Sequence, residues 1–246
     1  MVRFLLYNIR YATGVGSSFH LPFPYAGYLR PSSENFKRIM AFIAEMNPDI
    51  IGLVEVDSGS FRTGGRQSQA ALIAQQLGYD YVGEGKYGAG AMLSRLPLLK
   101  AQGNAVLSRM PIISHRFQYF DAGVKRLIIQ ACTEHLTVFL VHLSLTYRKR
   151  QYQLERLYRL IRKVQRPVIL AGDFNVFWGS REMELFLAAT GLCSVNQERI
   201  PSHPSHQPTR ELDFILHSPE LQPVRFFAPQ VILSDHAPLV CDFELR

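Results

Sequence analysis

Residues Arg150–Asn175 read RQYQLERLYRLIRKVQRPVILAGDFN. Leu154, Leu157, Tyr158, Ile161 and Val164 recur at helical spacing, so a helix over Arg150–Val164 with one apolar stripe is predicted. Pro167 breaks that pattern, and Pro167–Ala171 is short and apolar, as a strand is. The strand ends abruptly in Gly172-Asp173-Phe174-Asn175. A helix thus feeds a strand that ends in a carboxylate and an amide.

The same grammar recurs outward from this unit. Val2–Tyr7 reads as a buried strand ending at Asn8. An irregular stretch, Arg10–Pro31, follows with Gly14, Gly16, Pro22, Pro24 and Gly27. Ser33 is placed as an N-cap before Phe36, Ile39, Met40 and Ile43, and Pro48 closes that helix. Asp49–Val54 is the next strand, and Gln67–Leu77 a second helix before Gly78. Tyr79–Leu143 is strand-like, with Leu127–Cys132 and Leu136–Val141 as turn-linked neighbours. Glu182–Ala189 reads as a short helix, and Leu212–Leu216 and Pro238–Phe243 as further strands. Strands outnumber helices and no linker divides the chain, so one domain over 1–246 is expected, with packed sheets inside and helices outside.

Nearly half of the 246 residues are hydrophobic, which suits a packed globular chain and excludes a disordered one. No window reaches the roughly 18 apolar residues of a membrane span. The first residues lack the pattern of a signal peptide, so cytoplasmic residence is the default expectation. Cys132, Cys193 and Cys241 are scattered and suggest neither a disulfide framework nor a zinc site. The net charge of +7 is concentrated: Arg148–Arg166 carries eight basic side chains against Glu155 alone. Such a basic helix face, 148–166, is ordinarily solvated surface, but it also suits nucleic acid or an anionic membrane surface.

Several polar residues abut apolar runs: Asn8, Glu55, His142, Asp173, Asn175, Asp213, Asp235 and His236. Burying any of them alone costs several kcal/mol, so they are expected to partner one another. Glu55, Asp173 and Asp235 are hard oxygen donors suited to Mg²⁺ or Mn²⁺. His142 and His236 can bind phosphate or move protons, and Asp213 can fix one imidazole. Displacement at phosphorus needs these functions together.

Six strings resemble, in order, the endonuclease/exonuclease/phosphatase superfamily: Tyr7-Asn8-Ile9-Arg10, Val54-Glu55-Val56-Asp57, His142-Leu143-Ser144, Gly172-Asp173-Phe174-Asn175, Leu212-Asp213-Phe214-Ile215-Leu216 and Ser234-Asp235-His236-Ala237-Pro238-Leu239. Gly103–Arg109 adds a seventh. That superfamily includes deoxyribonucleases, abasic-site endonucleases, sphingomyelinases, inositol polyphosphate phosphatases and deadenylases. The resemblance implies an α/β fold of the α+β type, a four-layer sandwich in which two packed mixed β-sheets are flanked by helices. It implies Glu55 as the main metal ligand, with Asn8 and Asp235 close by, and one or two Mg²⁺ or Mn²⁺ ions. Asp173 would position or deprotonate the attacking water, and Asn175 would orient it or the phosphate. His236, held by Asp213, and His142 would contact the phosphate from two sides. Asn104, Arg126 and Trp178 complete the candidates as substrate contacts. The chain departs from many members in having Val54, not Gln, before Glu55.

The expected activity is metal-dependent hydrolysis of a phosphodiester or phosphate monoester, with a nuclease favoured by the basic helix. A phospholipid or inositol-phosphate phosphoesterase is the alternative, and a non-catalytic binding relative fits the intact residue set less well. Phe19, Phe23, Tyr25 and Tyr28 suit either a rim of the site or a satellite core. Other features read as bland: His203 and His206 as part of a Pro-rich loop, Asp57 as a loop or supporting carboxylate, and the similar segments 91–98 and 105–112 as two strand-and-turn units. Gly83-Glu-Gly85-Lys-Tyr-Gly88 lacks the following helix that a dinucleotide site requires.

Overall fold

A computed structural model describes residues 1–14, 33–60, 63, 67–86, 100–121, 127–177 and 181–245. Arg126, Trp178 and the aromatic segment holding Phe19, Phe23, Tyr25 and Tyr28 lie outside them, as does the segment 91–98. Among the described residues, twelve strands form two six-stranded sheets. The first comprises β1 (Val2–Asn8), β2 (Ile50–Asp57), β3 (Asp80–Gly85), β4 (Gln102–Ser108), β11 (Leu221–Phe227) and β12 (Leu239–Leu245). The second comprises β5 (Ser114–Tyr119), β6 (Leu127–Cys132), β7 (Thr137–His142), β8 (Val168–Asp173), β9 (Cys193–Ser194) and β10 (Asp213–His217).

The spatial orders are β11-β12-β1-β2-β4-β3 and β5-β6-β7-β8-β10-β9. Each sheet has one parallel pair at its centre, β1 with β2 and β7 with β8. All other pairings are antiparallel, so both sheets are mixed. A parallel pair needs a crossover. Helix α1 (Ser33–Met46) supplies it for β1 and β2, and α3 (Tyr147–Ile161) for β7 and β8. Helices α2 (Gln69–Leu77) and α4 (Arg181–Thr190) follow β2 and β8 in the same relative places. The two halves therefore repeat one plan, with β11 and β12 carried to the chain's far end.

Period-two alternation divides the core into three layers. Phe4, Leu6, Ile50 and Val106 of one sheet meet Ile129, Leu140, Ile169 and Ile215 of the other between the sheets. The opposite faces pack on helices: Leu5, Tyr7 and Ile51 against Phe36, Ile39 and Ile43 of α1, and Phe139, Val141 and Leu170 against Leu154, Leu157 and Ile161 of α3. The sheets approach so closely that a Cβ on Gly52 would lie 2.9 Å from Leu140 Cδ1. This is the four-layer sandwich expected from the sequence. No helix among the described residues is long and apolar enough to cross a membrane.

The basic stripe over 148–166 needs correction. The helix ends at Ile161, short of Val164. Arg150 is not on its solvent face: it is fully buried and donates from Nη2 to Glu182 Oε1 at 2.6 Å. Its Nε also reaches Glu182, and Nη1 donates to the Ser144 carbonyl at 2.9 Å. Arg148, Lys149, Arg156, Arg159, Arg162, Lys163 and Arg166 remain exposed. Edge strand β11 is absent from the sequence-based expectation because Pro223 interrupts it, and its register shifts between Pro223 and Arg225.

The Arg150–Glu182 pair joins α3 to α4 in a water-poor setting. Glu182→Ala strands the guanidinium and should cost about 3–5 kcal/mol in urea unfolding. Arg150→Met combined with Glu182→Leu should recover most of that loss. A single substitution as mild as the double would refute this role.

Candidate active site

The inward-facing column of each central strand ends in a polar residue. On β1, Phe4 and Leu6 are followed at the next inward position by Asn8. On β7, Val138 and Leu140 lead to His142; on β8, Ile169 and Ala171 lead to Asp173. Asp213 precedes Ile215 on β10, and Asn104 precedes Val106 on β4. These residues leave the apolar core at one end of the sandwich, where the carboxyl ends of both parallel pairs meet.

Each sheet contributes a row. In one, His142, Asp173 and Asp213 are directly paired across β7, β8 and β10. In the other, Asn8 is paired with Val54, and the Glu55 N–H donates to Asn104 Oδ1 at 3.1 Å. Glu55 fits this row through a bulge: the β2–β4 register shifts between Leu53 and Val56, and Glu55 has φ 59°. Asn175 has φ 53° just beyond β8. Non-glycine residues at positive φ are strained, and such strain clusters at working sites. Gly172 has φ 150°, and a Cβ there would lie 1.9 Å from the Val141 carbonyl oxygen. Only glycine allows β8 to approach β7 so closely beside Asp173.

The rows touch at Asp173. Its Oδ2 accepts from Asn8 Nδ2 at 3.2 Å and lies 3.1 Å from His142 Nε2. Its Oδ1 accepts the Asn175 N–H at 3.0 Å. Asn175 Nδ2 donates to the Leu143 carbonyl at 3.0 Å. On the far side, His142 Nδ1 is 3.8 Å from Glu55 Oε1. His236 Nε2 stands 3.9 Å from Asp173 Oδ2, while its Nδ1 is 2.6 Å from Asp213 Oδ2. Ser202 Oγ donates to the same Asp213 oxygen at 2.6 Å. Asn104 Nδ2 is buried without a hydrogen-bond partner among the described residues.

Two cations were not expected. Arg10 and Lys86 are among the largest fully buried side chains. Lys86 Nζ donates to Glu55 Oε1 at 3.1 Å and to the Tyr11 hydroxyl at 2.6 Å. Arg10 Nε lies 3.4 Å from Asp235 Oδ2. Their signals in the sequence were faint: Arg10 closes the Asn8 string, and Lys86 sits inside the discounted glycine string. Asp57 accepts from the backbone of Gly59 and Ser60, so it organises a loop.

The donor chemistry fits a hard divalent cation, since Glu55 and Asp235 offer carboxylate oxygens at the partly open end of a buried site. Among the described residues, potential ligand atoms fall within 4.8 Å of one another in two groupings: Asp173, Asp213 and His236, and His203, Asp235 and His236. Glu55 belongs to neither; it joins the cluster through His142 and Lys86.

Burial works to lower the His236 pKa, but the charge and hydrogen bond of Asp213, aided by Asp173 and Asp235, raise it to about 10. Burial in turn pushes Asp213 up, and the imidazolium pulls it back. His236 is therefore a cation at neutral pH, oriented through Nδ1 and presenting Nε2 to the site.

The family model described as "Endonuclease/Exonuclease/phosphatase family" matches residues 5–236. Among solved structures, an endonuclease/exonuclease/phosphatase from Beutenbergia cavernae is 20% identical, with 99% of this chain and 71% of that chain covered and a TM-score of 0.73. A mannosyl-6-phosphatase from Bacteroides thetaiotaomicron is 19% identical over 100% of both chains, with a TM-score of 0.73. The human Nocturnin catalytic domain with bound sulfate is 20% identical over 100% of this chain and 94% of that chain, with a TM-score of 0.69. These likenesses carry the fold. No curated protein matches the chain by sequence.

In metal-free protein the raised pKa has a definite sign: the stabilisation from His236 is complete below about pH 6.5, the ordinary histidine value, and is lost as pH rises through about 10. Imidazole chemical shifts should show His236 still protonated through the neutral range. Asp213→Asn should bring its titration down toward the ordinary value. A wild-type midpoint near that value would contradict the pairing.

Proposed function

Because this chain belongs to the Endonuclease/Exonuclease/phosphatase family, phosphoester hydrolases that generally use divalent metal ions, we propose that residues 1–246 form one catalytic domain that hydrolyses a phosphodiester by attack of water held at Asp173. The observation that carries this reading is the convergence on Asp173 of three donors from both sheets, with His236 poised 3.9 Å away.

Asn8, Glu55 and Asp235 would hold Mg²⁺ or Mn²⁺, as their oxygen chemistry suits those ions. The bound ion supplies charge neutralisation and polarisation at the phosphate. Asp173 orients the water and accepts its proton, its two oxygens fixed by Asn8, His142 and the Asn175 backbone. His236 Nε2 donates to the phosphate and protonates the departing oxygen, while Asp213 keeps the ring in place and stabilises its charge. His142 faces the phosphate from the opposite side. Asn104 Nδ2, buried and unpartnered, is a further donor for a phosphate oxygen.

A nucleic-acid substrate is the preferred reading, supported by the exposed basic residues Arg148, Lys149, Arg156 and Arg159 of α3. One observation favours a phospholipid instead: Leu145, Tyr147 and Tyr152 are exposed beside Arg148 and Lys149 near the start of α3, which suits an anionic membrane surface. Turnover confined to substrate in anionic vesicles would select that reading. The sugar-phosphate specificity of the Bacteroides relative belongs to a protein 19% identical, and a phosphomonoester is the third substrate to assay.

Asp173→Asn and Glu55→Ala should each lower turnover of a phosphodiester by about 10²–10⁴-fold while circular dichroism stays native. EDTA should abolish wild-type turnover, and Mg²⁺ or Mn²⁺ should restore it. Full activity in either variant, or indifference to EDTA, would defeat the proposal.

A further inference from the structure

The Pro-rich loop between β9 and β10, bland as sequence, is fastened to the active site at three points. The Ser205 N–H donates to the Asp235 carbonyl at 2.8 Å, and the Ala237 N–H to the Ser202 carbonyl at 2.7 Å. Ser202 Oγ donates to Asp213 Oδ2. Within the loop, His203 and Arg210 form an antiparallel bridge whose N–H groups donate to each other's carbonyls at 3.0 and 2.9 Å. The loop is thus a fixed wall of the site.

That wall displays an ordered series of side chains. The His203 ring lies 4.8 Å from the His236 ring, centroid to centroid. One ligand atom each of His203, Asp235 and His236 falls within 4.8 Å of the others. The His203 Nδ1 is buried, yet has no hydrogen-bond partner among the described residues. Phe177, two residues past Asn175, meets His203 edge-on at 6.5 Å. The Arg210 guanidinium lies over the Phe177 ring at 5.3 Å. Arg210 is exposed, and no acidic side chain among the described residues pairs with it. The series His236, His203, Phe177, Arg210 therefore leads outward from the point where the scissile phosphate would sit, and it ends in a positive charge.

An unpartnered buried ring nitrogen beside a reactive site asks for a ligand atom. An arginine seated over an aromatic ring is already partly ordered, so it loses less freedom when it grips an oxyanion. Resting on the phosphoesterase reading above, we propose that His203, Phe177 and Arg210 form a subsite for a second phosphate of the substrate, adjoining the one that is cleaved. The enzyme then favours phosphodiester chains, such as oligonucleotides, over diesters that carry a single phosphate. Phe177 offers the ring face that Arg210 does not cover to the group linking the two phosphates, His203 contributes a ring nitrogen, and Arg210 supplies the charge.

Arg210→Gln removes an exposed charge and leaves the loop's backbone bonds untouched. Steady-state kinetics of wild type, Arg210→Gln and His203→Ala would be compared on bis-nitrophenyl phosphate, which has one phosphate, and on a thymidine tetranucleotide. For Arg210→Gln we expect KM on the tetranucleotide to rise about tenfold, with kcat little changed and no effect on bis-nitrophenyl phosphate. The slope of log(kcat/KM) against log salt should become shallower by about one for the tetranucleotide only. His203→Ala should likewise raise KM on the tetranucleotide. Equal losses on both substrates, or no loss on the tetranucleotide, would overturn the subsite. A wild type that cleaves bis-nitrophenyl phosphate but not the tetranucleotide would overturn the subsite and leave the phosphoesterase reading standing. A wild type inactive on both, with added Mg²⁺ or Mn²⁺, would overturn the reading beneath it.

Discussion

At Asp173 the two sheets are joined by a hydrogen bond instead of by apolar contact. The carboxylate is almost wholly buried, and such a group survives only if it is matched by donors. Asn8 comes to it from the opposite sheet, His142 from the neighbouring strand, and the Asn175 N–H from its own turn. That requirement fixes much else. Gly172 must lack a side chain so that β8 and β7 can close. Asn175, whose N–H returns to Asp173, then takes a left-handed conformation that redirects the chain out of the site. The sheets must pack closely enough for an asparagine on one to reach a carboxylate on the other.

The repeated plan of the two halves explains why the polar residues come in matched rows. Asn8 and His142 end corresponding strands, β1 and β7. Glu55 and Asp173 lie toward the ends of the corresponding strands β2 and β8, and Asn104 and Asp213 near the starts of β4 and β10. The carboxyl ends of two central parallel pairs therefore face each other, an arrangement in which backbone termination naturally leaves polar side chains around one cleft. Charge is managed within the cleft. Lys86 sits on Glu55, Arg10 on Asp235 and His236 on Asp213, so three of the site's carboxylates each have a cation close by. Unpaired, such charges would oppose folding by several kcal/mol each.

The polar residues were legible because strand periodicity makes them conspicuous. A buried strand is an unbroken apolar run, and a carboxylate, amide or imidazole at its end has no ordinary reason to be there. Asn8, His142, Asp173 and Asp213 stand out on that ground alone, and the structure draws them together with Glu55, Asn175 and His236. What was not legible depends on contacts remote in sequence. Arg150 counts as a helix-surface charge until Glu182 is brought over it from another helix. Lys86 lies in a glycine-rich string whose local features say nothing of Glu55, thirty-one residues away. Ser202 and His203 resemble any polar loop residues until that loop is seen fastened to Asp213 and Asp235. Strand β11 hid because Pro223 is tolerated at a sheet edge but argues against a strand when read locally.

The central claim is that water held at Asp173 attacks phosphorus while His236 serves the departing oxygen. Its most direct test is hydrolysis of a phosphodiester in water enriched in heavy oxygen, followed by mass spectrometry of both products. Attack at phosphorus places the heavy isotope in the phosphate-bearing product and none in the released alcohol. Heavy oxygen in the alcohol would mean cleavage on the carbon side, and Asp173 could not then be the group that directs water at phosphorus.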